Sequence, residues 1–197
     1  MHLYDLFAEI LDYPGPHFAA CVQDCADLLE LESPETAGTL RKFQRYQSAV
    51  PMGELQEAYT SVFDMQPECT LNLGYQLLGD DWRRSILLFK LKETYEANHF
   101  GSGCELPDHL CVLLRFLAIL KNSSEAAEIV DDCLLPTLSR MAASIQLGES
   151  PYRWVLQALL SWLREHRKAL ETSYANHDGR QANAAVMEGM EGEERTA

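Results

Sequence analysis

Apolar residues recur at helical spacing along most of the chain, and short polar or proline-containing breaks separate one repeat from the next. The first repeat ends at Tyr13-Pro14-Gly15-Pro16, where two prolines and a glycine interrupt it. Ser33-Pro34 and Ser150-Pro151 each place a capping side chain before a proline, an arrangement typical of helix starts. Asn122 precedes another apolar repeat and is predicted to cap it. The pattern therefore predicts a succession of amphipathic helices.

Two stretches of this pattern are harder to interpret. Leu71, Leu73 and Tyr75 alternate as in a strand, but no second strand pattern is present to pair with them, so a helix is predicted. From Leu106 onward the apolar positions follow the period of 3.6 residues, which predicts a helix with Pro107 at its first position.

The segments on either side follow the same logic. Gly79-Asp80 is predicted to end one helix and to cap the next. That next helix carries Trp82, Ile86 and Phe89 as its apolar stripe. Pro136 falls inside a later repeat, which predicts a kink or a break at that point.

The repeats amount to eight or nine helices, and no convincing sheet accompanies them. A chain of 197 residues is long enough for one substantial core and short for two. We therefore predict an all-α fold, a single-domain helical bundle over residues 1–175. Beyond about Tyr174 the repeat gives way to a polar, acidic sequence, so a disordered acidic tail is expected over residues 176–197.

Charge is distributed unevenly along the chain, whose net charge is −14. Residues 1–40 contain eight acidic residues and no lysine or arginine. Such a surface repels nucleic acid, whose affinity depends on phosphate contacts with Lys and Arg. It attracts a basic peptide, although acidic residues also simply keep a protein soluble. The first residues lack the basic start of a signal peptide, and no apolar run is long enough to span a membrane. A cytoplasmic protein without membrane insertion is therefore expected.

Cysteine and histidine spacing gives little support for a metal site or a catalytic thiol. The six cysteines contain no C-x-x-C pair, so buried reduced thiols are expected. Cys104, His109 and Cys111 follow a spacing that fits no common metal site and no known signature of a catalytic cysteine. A helical metal- or cofactor-binding protein is kept as the alternative from another functional class.

Asp108 and His109 are the polar residues that most invite a functional interpretation. A carboxylate in the first turn of a helix is stabilised by the helix dipole and by free backbone N–H groups, so Asp108 has a purely structural explanation. In the functional interpretation, Asp108 faces the loop over residues 63–70 and receives a cation from a bound peptide. His109 then provides a second polar contact. The residues alone leave both interpretations open.

A set of spaced motifs lies between residues 55 and 120. It comprises Tyr59-x-x-x-Phe63, Pro67, Leu71, Tyr75-x-x-x-x-Asp80, Arg84, Leu91-Lys92-x-x-Tyr95 and Glu105-Leu106-Pro107-Asp108-His109-Leu110. Together these motifs resemble the molybdoenzyme-specific chaperone family. Within that family the chain is most similar to the nitrate reductase delta subunits, which are molybdenum cofactor assembly chaperones.

The resemblance implies an all-helical cytoplasmic protein with no catalytic activity and no permanently bound cofactor. It implies binding to the leader-like N-terminal peptide of a molybdoenzyme catalytic subunit, in the first place the alpha subunit of respiratory nitrate reductase. The chaperone would hold that subunit while a molybdenum bis-guanine-dinucleotide cofactor is inserted. Whether it acts as a homodimer is left open. By the same resemblance, the peptide-binding residues are Asp108 and His109 in an acidic loop, together with Glu105, and Tyr59, Phe63, Pro67, Leu71 and Tyr75 in a groove wall.

Two positions keep the identity of the client open. Cys111 stands where delta subunits often have proline, and His109 is more typical of the chaperones of sulfoxide and amine-oxide reductases. The alternative is therefore a chaperone of the same family for another molybdoenzyme, such as a dimethyl sulfoxide, amine-oxide, selenate or perchlorate reductase.

Overall fold

The computed structural model describes residues 2–66, 69–146 and 150–167. The chain divides into two compact units, residues 1–162 and 163–197. Of the second unit only residues 163–167 are described, and they are helical. The boundary expected at residue 175 and the tail expected over residues 176–197 lie outside the described residues.

Helices make up most of the first unit. In chain order they are α1 (Leu3–Ile10), α2 (Phe18–Glu32), α3 (Pro34–Ala49), α4 (Met52–Phe63), α5 (Leu73–Leu78), α6 (Trp82–Ala97), α7 (Leu110–Ile119), α8 (Ser123–Ile129) and α9 (Leu135–Gln146). A π-helical segment, Val130–Leu134, joins α8 to α9 in one continuous helix. A final helix, α10, begins at residue 152.

The all-α fold class is confirmed for the described residues. In that part of the chain no strand forms, and a single antiparallel bridge pairs Asn72 with His109. No helix of the same part is long and apolar enough to cross a membrane. The helix predicted for the alternating segment is confirmed from Leu73 onward.

Helix α1 forms the centre of the N-terminal half of the molecule. It packs against α2 and α7, and α2 packs against α3. Its buried residues are Leu3, Tyr4, Leu6, Phe7, Ala8 and Ile10, out of eight in the helix. Burial of one large apolar side chain stabilises the fold by roughly 1.5–3 kcal/mol. Helix α1 is therefore a core element, although its neighbours are amphipathic.

A row of aromatic rings connects the N-terminal helices with α4 and α10. Phe18 packs on Phe43 with ring centroids 6.0 Å apart, and Phe43 packs on Tyr152 at 5.1 Å. Tyr152 in turn lies 5.1 Å from Phe63, and Phe63 lies 5.0 Å from Tyr59. Tilted and edge-on contacts at these distances are the favoured geometries of aromatic pairs. The row fixes the C-terminal end of α4, which contributes to the floor of the site described below.

Helix α6 turns its predicted stripe away from the protein. Trp82, Ile86 and Phe89 are 71%, 43% and 61% exposed, whereas Leu91 and Tyr95 are buried. The helix packs mainly on the short helix α5. The opposite face, with its two buried residues, therefore provides the attachment, and the periodicity alone did not indicate which face is covered.

Two helix starts depart from the prediction, and the helix around Pro136 is irregular. A π-helical segment ends two residues before Pro136, where a kink or a break was expected, and the helix continues through Pro136. Helix α6 is capped by Asp81, whose carboxylate accepts a backbone N–H at 2.9 Å, and not by Asp80. Helix α7 begins at Leu110, three residues after Pro107, which was predicted to occupy its first position.

The cysteines are all free thiols. Burial is confirmed for Cys25, Cys69 and Cys111. The prediction was wrong for Cys104, which is exposed because it lies in the turn between α6 and α7 and not on a helix face.

Candidate functional site

A cavity of about 310 Å³ opens between the end of α1, the end of α4 and the two loops that meet at the bridge between Asn72 and His109. We call this cavity the acidic cleft. Its lining residues are Asp12, Tyr13, Tyr59, Phe63, Asp64, Thr70, Leu71, Asn72, Glu105 and His109. Ligand pockets commonly measure about 300–1,000 Å³, so the acidic cleft has room for one large side chain.

Two further cavities adjoin the acidic cleft at Tyr13. One, of about 330 Å³, lies at the connection between α1 and α2, and the other, of about 470 Å³, lies along the exposed side of α4. Tyr13 lines all three cavities and is 54% exposed. Because the three cavities share Tyr13, we refer to them together as the groove.

The groove is strongly acidic. Its lining includes Glu9, Asp12, Glu57, Asp64 and Glu105, and within the described chain no lysine or arginine lines any of the three cavities. A surface of one sign raises the local concentration of cationic partners and speeds their association.

Arg115 neutralises only a part of this charge. Its Nη2 donates to Glu9 Oε1 at 3.0 Å and to Asp12 Oδ2 at 2.8 Å, so one guanidinium serves two carboxylates. Asp64 and Glu105 have no basic side chain within ion-pair distance in the part of the chain that is described. The acidic cleft therefore keeps uncompensated negative charge at its rim.

The floor of the acidic cleft is apolar. Tyr59, Phe63 and Leu71 are only 7%, 4% and 3% exposed. The Tyr59 hydroxyl donates to the carbonyl of Leu11 at 3.2 Å, and the Tyr13 ring meets the Tyr59 ring edge-on at 5.5 Å. Burial raises the pKa of Tyr59 well above its ordinary value, so the hydroxyl stays neutral. The cleft thus offers a small area of aromatic and aliphatic surface beneath a charged rim.

His109 contributes a neutral polar group to the cleft. It is half-buried, and its Nδ1 is buried without a hydrogen-bond partner in the described chain. Burial lowers the pKa of His109, because desolvation of the imidazolium outweighs the opposing effect of Glu105, Asp12 and Asp108. Its ring is therefore available as a hydrogen-bonding contact and adds no positive charge to the cleft.

Asp108 lies behind the acidic cleft and is fully buried. Its Oδ2 accepts a hydrogen bond from the backbone N–H of Gly74 at 3.1 Å and another from Nε of Arg84 at 3.1 Å. The carboxylate contacts Gly74 in α5, beyond the loop over residues 63–70 that it was expected to face. The cation that it receives belongs to the same chain. The expectation that Asp108 pairs directly with a peptide cation therefore needs correction, because its carboxylate is not open to solvent.

Backbone hydrogen bonds between the two loops explain why α7 begins late. The N–H of Leu73 donates to the carbonyl of Asp108 at 2.9 Å, and the N–H of Leu110 donates to the carbonyl of Leu71 at 2.8 Å. These bonds hold His109 in an extended conformation, and it becomes the N-cap of α7. Asp108 consequently precedes the helix and does not occupy its first turn.

Gly74 is required for the close approach of Asp108. A Cβ atom at Gly74 would lie 2.6 Å from Asp108 Oδ2 and 3.3 Å from Arg84 Cγ, so any other residue would force these side chains apart. The Arg84 guanidinium also lies 5.8 Å from the centroid of the Tyr75 ring, a cation–π arrangement. We call Gly74, Arg84 and Asp108 the Asp108 cluster.

The residues that the sequence analysis assigned to peptide binding separate into two groups. The first group lines the acidic cleft: Tyr59, Phe63, Leu71, Glu105 and His109. The second group belongs to or contacts the Asp108 cluster: Asp108 and Tyr75. Pro67 lies outside the described residues.

Sequence reasoning missed Asp12, Tyr13 and Asp64. Tyr13 was interpreted only as part of a helix stop, and Asp64 was included only within the loop over residues 63–70. Both breaks pair an acidic residue with an aromatic one, Asp12 with Tyr13 and Asp64 with Phe63. That pairing is the signal that could have indicated a shared site.

The sequence over residues 29–146 matches the family described as nitrate reductase delta subunit. The chain belongs to this family. The matched part of the delta subunit contains α3 to α9 and thus includes the Asp108 cluster and most of the acidic cleft. Asp12 and Tyr13 precede it.

Relatives of this delta-subunit chain occur in two well-known bacteria. A protein of Bacillus subtilis described as the probable nitrate reductase molybdenum cofactor assembly chaperone NarJ is 29% identical over 156 residues, which cover 78% of this chain and 84% of the relative. The nitrate reductase molybdenum cofactor assembly chaperone NarJ of Escherichia coli K12 is 29% identical over 162 residues, 79% of this chain and 66% of the relative.

A solved structure supports the fold assignment. A redox enzyme maturation protein from Archaeoglobus fulgidus superimposes with a TM-score of 0.57 over 82% of this chain and 91% of that protein. The two sequences are 23% identical, so the likeness concerns the fold.

No metal centre is present among the residues that the structure describes. No three His, Cys, Asp or Glu side chains of that part are placed to hold a metal ion, and this includes Cys104, His109 and Cys111.

Proposed function

We propose that this chain is an assembly chaperone for nitrate reductase. It binds the N-terminal segment of the catalytic subunit in the acidic cleft and the adjoining groove. It holds that subunit while the molybdenum bis-guanine-dinucleotide cofactor is inserted, acts in the cytoplasm and has no catalytic activity of its own. Membership of the delta-subunit family and the names of the NarJ relatives support the role.

One observation carries the peptide-binding part of the proposal. The acidic cleft combines an apolar floor with a rim whose Asp64 and Glu105 have no basic partner in the described chain. An amphipathic segment that carries a large apolar side chain and a nearby lysine or arginine complements both features. A small uncharged ligand would leave the rim charges unused.

The expected affinity is moderate. One large apolar side chain in the cleft contributes roughly 1.5–3 kcal/mol, whereas a micromolar complex requires about 8 kcal/mol. Contacts along the groove and the charged rim must therefore supply the remainder. Ordering of the peptide offsets part of that energy, which keeps release possible when the subunit is complete.

Calorimetry with a synthetic peptide tests the proposal. The peptide should correspond to the N-terminal segment of the nitrate reductase catalytic subunit from the same organism. Glu105→Lys and Asp64→Lys should each weaken binding several-fold, because each places a cation on the rim. Added salt should weaken the wild-type complex, since exposed charges are screened over about 8 Å at physiological ionic strength.

Glu30→Lys is the matched control. Glu30 is exposed on α2 and lines none of the three cavities, so this variant changes the net charge equally without altering the groove. Its peptide affinity should stay close to that of the wild type. Absence of binding by the wild-type protein, or equal losses in Glu30→Lys and Glu105→Lys, would overturn the proposal.

His109 favours a second candidate client. It lines the cleft, and it is the residue that the sequence analysis associates with chaperones of sulfoxide and amine-oxide reductases. Competition between N-terminal peptides of nitrate reductase and of those reductases separates the two clients, because the cognate peptide should bind more tightly than the other.

A further inference from the structure

We infer that the Asp108 cluster positions the two walls of the acidic cleft, so that Arg84 and Gly74 control peptide affinity without contacting the peptide. The inference rests on the proposed function. It deepens that function by separating the residues that contact the peptide from those that hold the site in shape.

The cluster joins the two walls of the cleft. One wall consists of residues 70–72, which lead into α5, and the other consists of Glu105 and His109, which precede α7. The Asp108 carboxylate crosses from the second wall to the N–H of Gly74 just beyond the first. The backbone bridge between Asn72 and His109 lies beside it. The side-chain bond and the bridge together set the separation of the walls.

The close packing around Gly74 leaves no room for a side chain between the Asp108 carboxylate and α5. A hypothetical Cβ there would meet Asp108 Oδ2 at 2.6 Å, Leu87 Cδ2 at 3.2 Å and Arg84 Cγ at 3.3 Å. These atoms therefore close around the glycine with no room for a methyl group. Even this smallest addition has to displace the Asp108 carboxylate from its hydrogen bond with the N–H of Gly74.

Arg84 keeps the carboxylate inside. Asp108 is fully buried, while the Arg84 side chain is 21% exposed and bonds the same oxygen as Gly74. A buried carboxylate without its cation is strongly unfavourable. Loss of Arg84 therefore favours conformations in which Asp108 turns toward water, and such a turn separates residues 107–110 from residues 71–74.

A cleft whose walls are not held together has to be ordered by the peptide itself. That ordering consumes binding energy, which is why preorganised sites bind more tightly than flexible ones. Asp108, Arg84 and Gly74 line none of the three cavities of the groove, so their effect on affinity should come entirely through the position of the walls.

The test compares Arg84→Met, Arg84→Lys and Gly74→Ala in two measurements. Hydrogen exchange of the free protein reports on the walls, at residues 69–74 and 105–111. Calorimetry with the N-terminal peptide of the nitrate reductase catalytic subunit reports on affinity. Arg84→Met and Gly74→Ala should speed exchange in both segments and raise the peptide Kd about tenfold. Arg84→Lys retains the cation and should restore most of the protection and affinity.

Two controls separate positioning from general loss of stability. Arg83→Met makes the same substitution one residue earlier, where the arginine is 60% exposed and pairs with Asp81. Leu29→Ala removes a fully buried side chain from α2 and lowers stability without changing the cluster. Both controls should bind the peptide with nearly wild-type affinity.

The two measurements can refute the proposed function and the positioning role independently. If the wild-type protein binds no peptide, the proposed function fails, while faster exchange in Arg84→Met would still show that the cluster holds the walls. If the wild type binds but Arg84→Met leaves exchange and affinity unchanged, or Leu29→Ala weakens binding equally, the positioning role is refuted and the chaperone proposal stands.

Discussion

Replacing Arg84 with methionine should destabilise the protein substantially. Asp108 is fully buried, and Arg84 is its only ion-pair partner among the described residues. Removal of one member of a buried pair costs about 3–5 kcal/mol, because the remaining charge is left uncompensated. We expect the lower end, about 3 kcal/mol, since Gly74 still donates to the carboxylate. Methionine preserves the aliphatic packing of the arginine stem.

A double-mutant cycle isolates the contribution of the pair. Asp108→Asn removes the charge but keeps an oxygen that can accept the Gly74 N–H, so it should cost less than Arg84→Met. In the Asp108→Asn background, Arg84→Met should then have little effect, because no buried charge is left to compensate. The expected coupling energy is therefore about 3 kcal/mol, at the upper end of the range measured for directly interacting residues.

Urea unfolding followed by circular dichroism measures these differences. In thermal unfolding, the same loss of about 3 kcal/mol corresponds to a fall in Tm of roughly 6–12 °C for a domain of this size. Arg83→Met is the matched control and should leave the unfolding midpoint almost unchanged, because its ion pair with Asp81 is exposed. Equal midpoints for Arg84→Met and Arg83→Met would refute the account of Asp108 as a buried charge held by Arg84.

Two further predictions concern groups whose ionisation is shifted by burial. Because burial lowers the pKa of His109 below its ordinary value of 6.5, the unfolded chain takes up a proton there first as the pH falls. Acidification from about pH 7.5 to about pH 5.5 should therefore destabilise the wild type more than His109→Gln in urea unfolding. If the difference in unfolding free energy between the two proteins stays constant over this range, the prediction is wrong. Burial raises the pKa of Cys25 and Cys111, whereas Cys104 is exposed, so a thiol reagent should modify Cys104 first in the native protein. Retention of the fast reaction in Cys104→Ser would contradict the assignment.

The helices could be predicted from the sequence because an amphipathic repeat is a local property. The period of 3.6 residues and the caps at Ser33 and Asn122 place most helices correctly. The start of α7 could not be predicted in this way. It depends on the hydrogen bond from Leu110 to Leu71, which joins segments that are distant in sequence.

The sequence also did not show whether the apolar stripe of α6 faces the core or the solvent. Trp82, Ile86 and Phe89 repeat as regularly as the buried stripes do, and the pattern marks a face without showing what covers it. For the candidate site, the motifs identified the correct region. They did not reveal which carboxylate is open to solvent, because the cation for Asp108 comes from α6. Asp12 and Tyr13 were missed for a related reason, since they reach the cleft from the far end of α1.

The structure gives the spaced motifs a common physical explanation. Tyr95 donates its hydroxyl to the carbonyl of Pro107 at 2.7 Å, and Arg84 binds Asp108, so two motif residues of α6 hold the loop before α7 in place. The same loop presents Glu105 and His109 to the cleft. A surface that only had to be acidic would not need a buried carboxylate with its own arginine, because an exposed one is less costly to maintain. The buried pair is explained if the loop must keep a fixed position opposite the end of α4. Under the proposed function, the choice of client then resides in the residues that line the cleft, while the residues of α6 preserve its shape for every client alike.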